Sequence, residues 1–184
     1  LNDIDYICIV SHADWVDYVN KAIADILFHC PVTVVSGGDS RSVSVCNGLR
    51  AIEKFASAQD VVLIHDATHP YVDQEGTLVG GATLRARQYD TCYRVDKSGD
   101  LQQVIPRQEL VVGASPEAFR FGDISRIYFD SSEEELAEMT SAGAIALAHG
   151  IQMKVIPANT LNLKITYPED LKLFKLLIHS YFFK

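Results

Sequence analysis

The sequence has no cysteine pairing that would hold a metal. Its four cysteines, Cys8, Cys30, Cys46 and Cys92, form no C-x-x-C, and they share no zinc-type spacing with the scattered histidines. Cys8 and Cys46 fall within apolar patterns and read as buried free thiols. No apolar run reaches membrane-spanning length and no signal peptide opens the chain, so a cytosolic protein is expected, with no membrane partner. Positive charge is scarce: 16 Lys+Arg stand against 24 Asp+Glu, a formal net charge of −8. That balance argues against a general binder of nucleic acid or anionic membranes, while leaving room for a small anion in a locally basic pocket. Walker A, G-x-G-x-x-G and G-x-S-x-G are all absent, so a P-loop, a dinucleotide fingerprint and a nucleophile elbow are not expected. Repeats and low-complexity segments are absent too. A length of 184 residues fits a single domain, 1–184.

What is present is an ordinary globular composition, 48% apolar and 22% charged, with a clear alternation of elements. Tyr6–Val10 reads as a buried strand. Asp14 is the expected N-cap of a helix carrying Val16, Val19, Ile23, Ile26 and Leu27 at helical spacing. Val32–Ser36 is the next strand, and Gly37-Gly38 turns the chain into a helix starting near Ser42, with Val45, Leu49, Ile52 and Phe55 as its apolar face. Val61–Ile64 is four apolar residues in a row, the pattern of a strand buried on both faces and so central in a parallel sheet. The alternation predicts an α/β fold with a doubly wound, mostly parallel sheet.

Beyond Ile64 the pattern weakens, and Tyr71–Tyr89 yields no element. Thr91–Val95 and Leu101–Ile105 flank Asp96-Lys97-Ser98-Gly99-Asp100, which reads as a projecting β-hairpin arm over 91–105. Val111–Ala114 is a short strand, and Ser115-Pro116-Glu117 reads as a helix start. Ser131 or Ser132 caps a helix whose Glu133, Glu134 and Glu135 suit its positive end better than a metal. A further helix ends at Gly150, Met153–Pro157 and Leu161–Thr166 read as strands, and the last helix opens at Thr166–Asp170.

Asp66 is the residue on which the chemistry turns. It ends the Val61–Ile64 strand, and ligands of open α/β sheets bind at that carboxyl end. It reads either as a metal or phosphate-site residue or as a turn acid in Asp-Ala-Thr-His-Pro, two readings that stand level. Gly37 and Gly38, with Arg41 and Ser44 in the following turn, would let a backbone approach an anion at a helix N-terminus. Arg107 lies just past the hairpin. Lys164 sits within an apolar Leu-Lys-Ile run, where an edge or surface role is the commoner one.

In order along the chain, Gly37-Gly38-x-x-Arg41-x-x-Ser44-Val45-x-x-Gly48-Leu49, His65-Asp66-Ala67-x-x-Pro70, Asp90-Thr91, Ser115-Pro116-x-Ala118-Phe119 and Asn162-x-Lys164-Ile165-Thr166-x-Pro168-x-Asp170 resemble the sugar-phosphate cytidylyltransferases. That family acts on 2-C-methyl-D-erythritol 4-phosphate or ribitol 5-phosphate, serving isoprenoid biosynthesis or the formation of CDP-ribitol. The resemblance runs from about Ile7 to Leu177. It implies the nucleotide-diphospho-sugar transferase type of sheet, a homodimer with swapped arm contacts, and CTP with Mg²⁺ as nucleotide and cofactor. It implies Gly37, Gly38, Arg41, Ser44, Asp66 and Ala67 around the nucleotide, with Asp66 on the metal. Lys164 and Arg107 would be catalytic, and Thr91, Arg107, Ser115 and Thr140 would hold the sugar phosphate.

The chain departs from the family pattern at His69, where an Arg is usual, at Ser141, where an acid is usual, and at Leu161, where the methylerythritol branch has Asp. The Tyr71–Tyr89 span is short for the family's helix and strand. The chain also opens on what reads as the family's second strand, after its Gly-rich loop, so the alternative expectation is a catalytically impaired homologue serving as a nucleotide-binding or dimeric interaction protein. An NAD-binding Rossmann protein is disfavoured by the missing glycine fingerprint.

Overall fold

Gly48 shows how tightly the first layer is built: a Cβ there would stand 2.8 Å from Val10 Cγ2, so this glycine lets a helix lie close on a strand. The computed structural model describes residues 3–70, 82–86, 90–157 and 163–182. They fall into two compact units. The first holds the chain up to Ile64 together with Ala118–Met153, and the second holds the residues from His65, the segment Ala82–Glu117 and the segment from Lys154.

The first unit alternates as the sequence predicts: β1 (Ile7–Ser11), α1 (Val16–Ile23), β2 (Val32–Ser36), α2 (Arg41–Ile52) and β3 (Val61–Ile64). β1 and β2 pair in parallel, Ile7 opposite Val32 through Ser11 opposite Ser36. The chain returns to this unit at the end of β7 (Val112–Arg120) and adds α3 (Phe121–Asp130), α4 (Glu133–Glu138) and α5 (Ala142–Ala148). Its core is one cluster, with Phe119, Ile124, Tyr128 and Ile145 among the most completely buried side chains. Cys46 and Leu49 of α2 and Ile64 of β3 belong to it. Cys46 is a buried free thiol as expected, while Cys8 is only partly buried, and loss of water there raises its pKa.

Several boundaries differ from the sequence reading, each for a physical reason. Asp14 is not an N-cap; it sits in a 3₁₀ turn, Ala13–Trp15, where the His12 ring accepts its backbone N–H. α1 stops at Ile23, leaving Ile26 and Leu27 beyond it and solvent-exposed. Ser115-Pro116-Glu117 lies inside β7 rather than starting a helix, because Ala118 and Phe119 carry the strand on into the core. The helix therefore begins later than expected, at Phe121, on a face of Phe121, Ile124, Ile127 and Tyr128. β3 is not central: among the described residues it has only β7 as a strand neighbour. Its apolar run marks contact with the helical core, and Val61 remains 43% exposed.

In the second unit β4 (Ala82–Ala86) runs parallel to β8 (Lys154–Pro157), and β5 (Cys92–Val95) pairs antiparallel with β6 (Leu101–Ile105). The Asp96–Asp100 turn closes that hairpin: Asp96 Oδ1 accepts the N–H of Ser98 and of Asp100. β4 has no counterpart in the sequence pattern; the rest of Tyr71–Tyr89 lies outside the described residues. α6 (Pro168–Phe182) ends the chain. Residues 163–166, expected to be strand, are irregular, and Asp170 caps α6 by accepting the N–H groups of Thr166 and Tyr167. Leu161, part of the same expectation, lies outside the described residues.

Candidate active site

Asp66 emerges from β3 into a turn closed by the His69 N–H donating to the Asp66 carbonyl at 2.9 Å. Ala67 and Thr68 are the two residues inside it. The Thr68 carbonyl accepts the Ile165 N–H at 2.7 Å, so the segment carrying Lys164 lies along the turn. Lys164 Nζ stands 3.9 Å from Asp66 Oδ2, with side chains 54% and 28% exposed. The two charged groups that the resemblance puts on a nucleotide phosphate and its cation are therefore neighbours, and Lys164 faces a carboxylate rather than only solvent.

Ser115 joins them from β7. Its Oγ accepts the Asp66 N–H at 2.7 Å and lies 3.0 Å from His65 Nδ1. The other ring nitrogen, His65 Nε2, is 2.8 Å from the His69 carbonyl. The His65 pKa is lowered. Loss of water around the ring is the main cause, opposed by the bond to the His69 carbonyl and the Asp66 charge. As a residue His65 is exposed, but each of its nitrogens faces a protein partner, and it is the nitrogens that water would have to solvate.

A second grouping lies in the first unit. Gly38 N–H donates to Ser44 Oγ at 3.1 Å, and Ser44 Oγ donates to the Ser40 carbonyl at 2.8 Å. Ser40 caps α2 by accepting the Val43 N–H. A Cβ on Gly37 would meet Ser44 Oγ at 2.6 Å, and one on Gly38 would meet Val43 Cγ1 at 2.2 Å. The glycines thus let the loop close on the first turn of α2, a packing need beyond the turn and the ligand approach that the sequence suggests. Arg41 opens that helix. Beside it, Ser42 Oγ donates to the Met139 carbonyl, which brings the Met139-Thr140 segment to the start of α2.

Thr91 and Arg107 come together at the base of the hairpin. With Val104, Ile105, Pro106 and Gln108 they line a cleft of about 300 Å³. Three groupings thus account for the expected site residues: Asp66, Ala67, Ser115 and Lys164; Gly37, Gly38, Arg41, Ser44 and Thr140; Thr91 and Arg107. The sequence reading placed His65 in the family motif without giving it a role, and did not foresee the contacts of the Thr68 and His69 carbonyls. His65 was legible as the residue preceding the strand-end acid, whereas carbonyl partners leave no mark in side-chain chemistry.

Among the described residues no group of three or more His, Cys, Asp or Glu gathers as a metal cage. A single carboxylate, Asp66, partly shielded and paired with Lys164, fits Mg²⁺, which is held by one or two carboxylates together with phosphate oxygens rather than by protein alone.

The chain is similar to known proteins in sequence and in fold. The ribitol-5-phosphate cytidylyltransferase of Streptococcus agalactiae serotype Ia is 27% identical, over 95% of this chain and 76% of that protein. The 2-C-methyl-D-erythritol 4-phosphate cytidylyltransferase of Geobacter metallireducens is 31% identical, over 95% of this chain and 78% of its own length. Among solved structures, 4-diphosphocytidyl-2C-methyl-D-erythritol synthase from Anaerococcus prevotii superposes with a TM-score of 0.78 at 22% identity, covering 96% of this chain and 79% of that one. The Francisella tularensis 2-C-methyl-D-erythritol 4-phosphate cytidylyltransferase superposes at 0.72 and 20% identity, covering 94% and 98% of the two chains. These likenesses give an α/β nucleotidyltransferase fold. The family described as IspD, 2-C-methyl-D-erythritol 4-phosphate cytidylyltransferase, matches residues 1–180, and this chain belongs to it.

Proposed function

We propose that this protein transfers the cytidylyl group of CTP to a sugar-alcohol phosphate, 2-C-methyl-D-erythritol 4-phosphate or ribitol 5-phosphate. A phosphate oxygen of the acceptor bonds to the α-phosphorus of CTP, the bond from that phosphorus to the bridging oxygen breaks, and pyrophosphate leaves. The observation that carries this reading is the Asp66–Lys164 pair at 3.9 Å, set on the turn that follows β3. Phosphoryl-type transfer needs positioning and charge neutralisation more than covalent help, and a lysine beside a carboxylate supplies both signs of charge.

Lys164 and Arg107 neutralise phosphate charge, and Gly37, Gly38, Arg41, Ser44 and Ala67 surround the nucleotide. Asp66 would hold a magnesium ion, which when bound offsets the charge of the triphosphate. Thr91, Arg107 and Thr140 hold the acceptor, with Ser115 the fourth member of that set by resemblance. The hairpin serves as the arm of a cytosolic homodimer. Tyr93 lies opposite Val104, and Val95 opposite Leu101, and all four side chains are exposed, which supports an arm with an apolar face to cover.

The test is pyrophosphate release by the full-length protein with CTP, Mg²⁺ and each acceptor in turn. One acceptor is expected to turn over, and Asp66→Asn, which keeps size but removes charge, is expected to abolish it with little change in thermal unfolding. An active but destabilised Asp66→Asn protein makes Asp66 a turn acid and overturns the metal assignment.

A further inference from the structure

His65 has no place in the proposed chemistry, yet both of its ring nitrogens are engaged beside Asp66. The direction of each hydrogen follows from the partners. The His69 carbonyl can only accept, so Nε2 carries the ring hydrogen at 2.8 Å. In the neutral ring Nδ1 is then a bare acceptor, and Ser115 must donate its hydroxyl hydrogen to it across 3.0 Å. The lone pairs of Ser115 Oγ face the other way and receive the Asp66 N–H at 2.7 Å. The result is one directed chain: Asp66 N–H to Ser115 Oγ, Ser115 O–H to His65 Nδ1, His65 Nε2–H to the His69 carbonyl. Because the His69 N–H returns to the Asp66 carbonyl, the chain fixes both peptide groups of the residue whose carboxylate meets Lys164.

We propose that His65 is a positioning residue: by taking the hydroxyl hydrogen of Ser115 it turns that serine into a fixed acceptor for the Asp66 N–H, and so sets where the Asp66 carboxylate stands. This rests on the reading that Asp66 serves cytidylyl transfer. It also changes the assignment of Ser115. A hydroxyl has one hydrogen, and here it points to His65, so Ser115 acts on Asp66 and not as a donor to the acceptor's phosphate.

The two roles separate kinetically. A lost phosphate donor raises KM for the acceptor, whereas a displaced Asp66 lowers kcat. In the full-length protein, Ser115→Ala and His65→Phe are expected to lower kcat by about tenfold or more, the usual cost of losing a group that orients a metal-site ligand. KM for the acceptor should stay within about twofold. His65→Asn, which can offer an amide oxygen where Nδ1 stands, should recover most of kcat, and His65→Gln, which cannot, should resemble His65→Phe. Adding His65→Phe to Ser115→Ala should cost nothing further, because the serine is the route of the effect.

Amide hydrogen exchange at Asp66 gives a readout independent of turnover. Its protection should fall in Ser115→Ala and His65→Phe and be retained in His65→Asn, in proteins of unchanged thermal unfolding. A raised KM at constant kcat, additive losses in the double variant, or unaltered Asp66 exchange would overturn the proposal. If the unaltered protein turns over neither acceptor, the proposed function fails, and the exchange data still decide whether His65 holds Asp66. Should His65→Phe not fold, the contrast between His65→Asn and His65→Gln decides instead, and equal kcat and equal Asp66 exchange in those two would overturn the proposal.

Discussion

Ile165 donates its backbone N–H to the carbonyl of Thr68 at 2.7 Å. This bond ties a segment near the start of α6 to the turn that carries Asp66. Lys164 precedes Ile165, so a backbone contact made for no catalytic reason delivers an ammonium to a carboxylate. A flexible lysine elsewhere on the surface would reach Asp66 only at the cost of its own rotamer freedom.

Lys164→Met follows from that geometry. The pair is partly exposed, 54% and 28%, and exposed ion pairs stabilise proteins by less than about 1 kcal/mol. Methionine keeps the stem of the side chain, so thermal unfolding should scarcely move. Turnover should fall on the order of 100-fold, as when one charged or polar donor to a developing phosphate charge is removed. A large loss of stability with activity preserved would make the pair a structural tie.

Gly38→Ala tests the loop in front of α2. The new Cβ would stand 2.2 Å from Val43 Cγ1 and 2.9 Å from Val43 Cβ. Val43 is β-branched and in a helix, so it has little freedom to turn away, and the loop must move instead. Overpacking of this kind costs about 1–3 kcal/mol, read by urea unfolding, and the shift should weaken CTP binding in a titration. Adding Val43→Ala removes the obstructing methyls and should restore both. No recovery would mean the glycine serves something other than this close approach.

How far the site was legible depends on how local its chemistry is. β2, α2 and the capping box of α4 were readable because they rest on side chains a few residues apart: Ser132 Oγ accepts the Glu135 N–H, and Glu135 returns a carboxylate to the Ser132 N–H. The strand through Ser115-Pro116 was misread because a proline after a serine looks locally like a helix start, while what extends β7 is the burial of Ala118 and Phe119 in a distant cluster. The family motifs named Asp66, Ser115 and Lys164 without saying that they meet. Lys164 is brought in by the backbone bond between Ile165 and Thr68, which leaves no mark in side-chain chemistry, and Ser115 by its hydroxyl on the Asp66 N–H, a contact between residues 49 apart.

Asp170 provides a pH test. Its carboxylate accepts the Tyr167 N–H and the Thr166 N–H, and these bonds, in that order, hold its pKa below the ordinary value of 3.8. A carboxyl whose folded pKa is depressed contributes stability that is present above the unfolded value and disappears as pH falls through the folded one. The unfolding temperature of the unaltered protein should therefore drop more steeply below pH 3.8 than that of Asp170→Asn, which has no charge to lose there. The difference between the two curves cancels every other carboxyl. Since Asp170 is only half-buried, the effect is small and must be read as that difference. Parallel curves would mean the two N–H bonds do not persist in solution.

The hairpin yields the last prediction. Tyr93 and Val95 are two apart on β5 and so share a face, and the register sets Val104 opposite Tyr93 and, past an irregularity between Arg94 and Val95 that takes up one residue of β6, Leu101 opposite Val95, which brings all four to that face. All are exposed, Leu101 at 64% and Val104 at 58%, so a charge placed there meets water in the isolated subunit and desolvation in a dimer. The turn does not depend on that face, because it is closed by Asp96 through Ser98, Asp100 and the Gln102 side chain. In the homodimer proposed above, Val104→Asp should therefore leave thermal unfolding of the monomer unchanged while weakening dimerisation by about 100-fold or more, the equivalent of losing a buried valine on each arm. Sedimentation velocity at micromolar concentration reads the shift from dimer to monomer. Because Thr91 and Arg107 line the cleft at the base of the same hairpin, acceptor turnover should fall in step with the dimer fraction and recover at higher protein concentration. A Val104→Asp protein that remains dimeric would show that the arm's apolar face is not the interface.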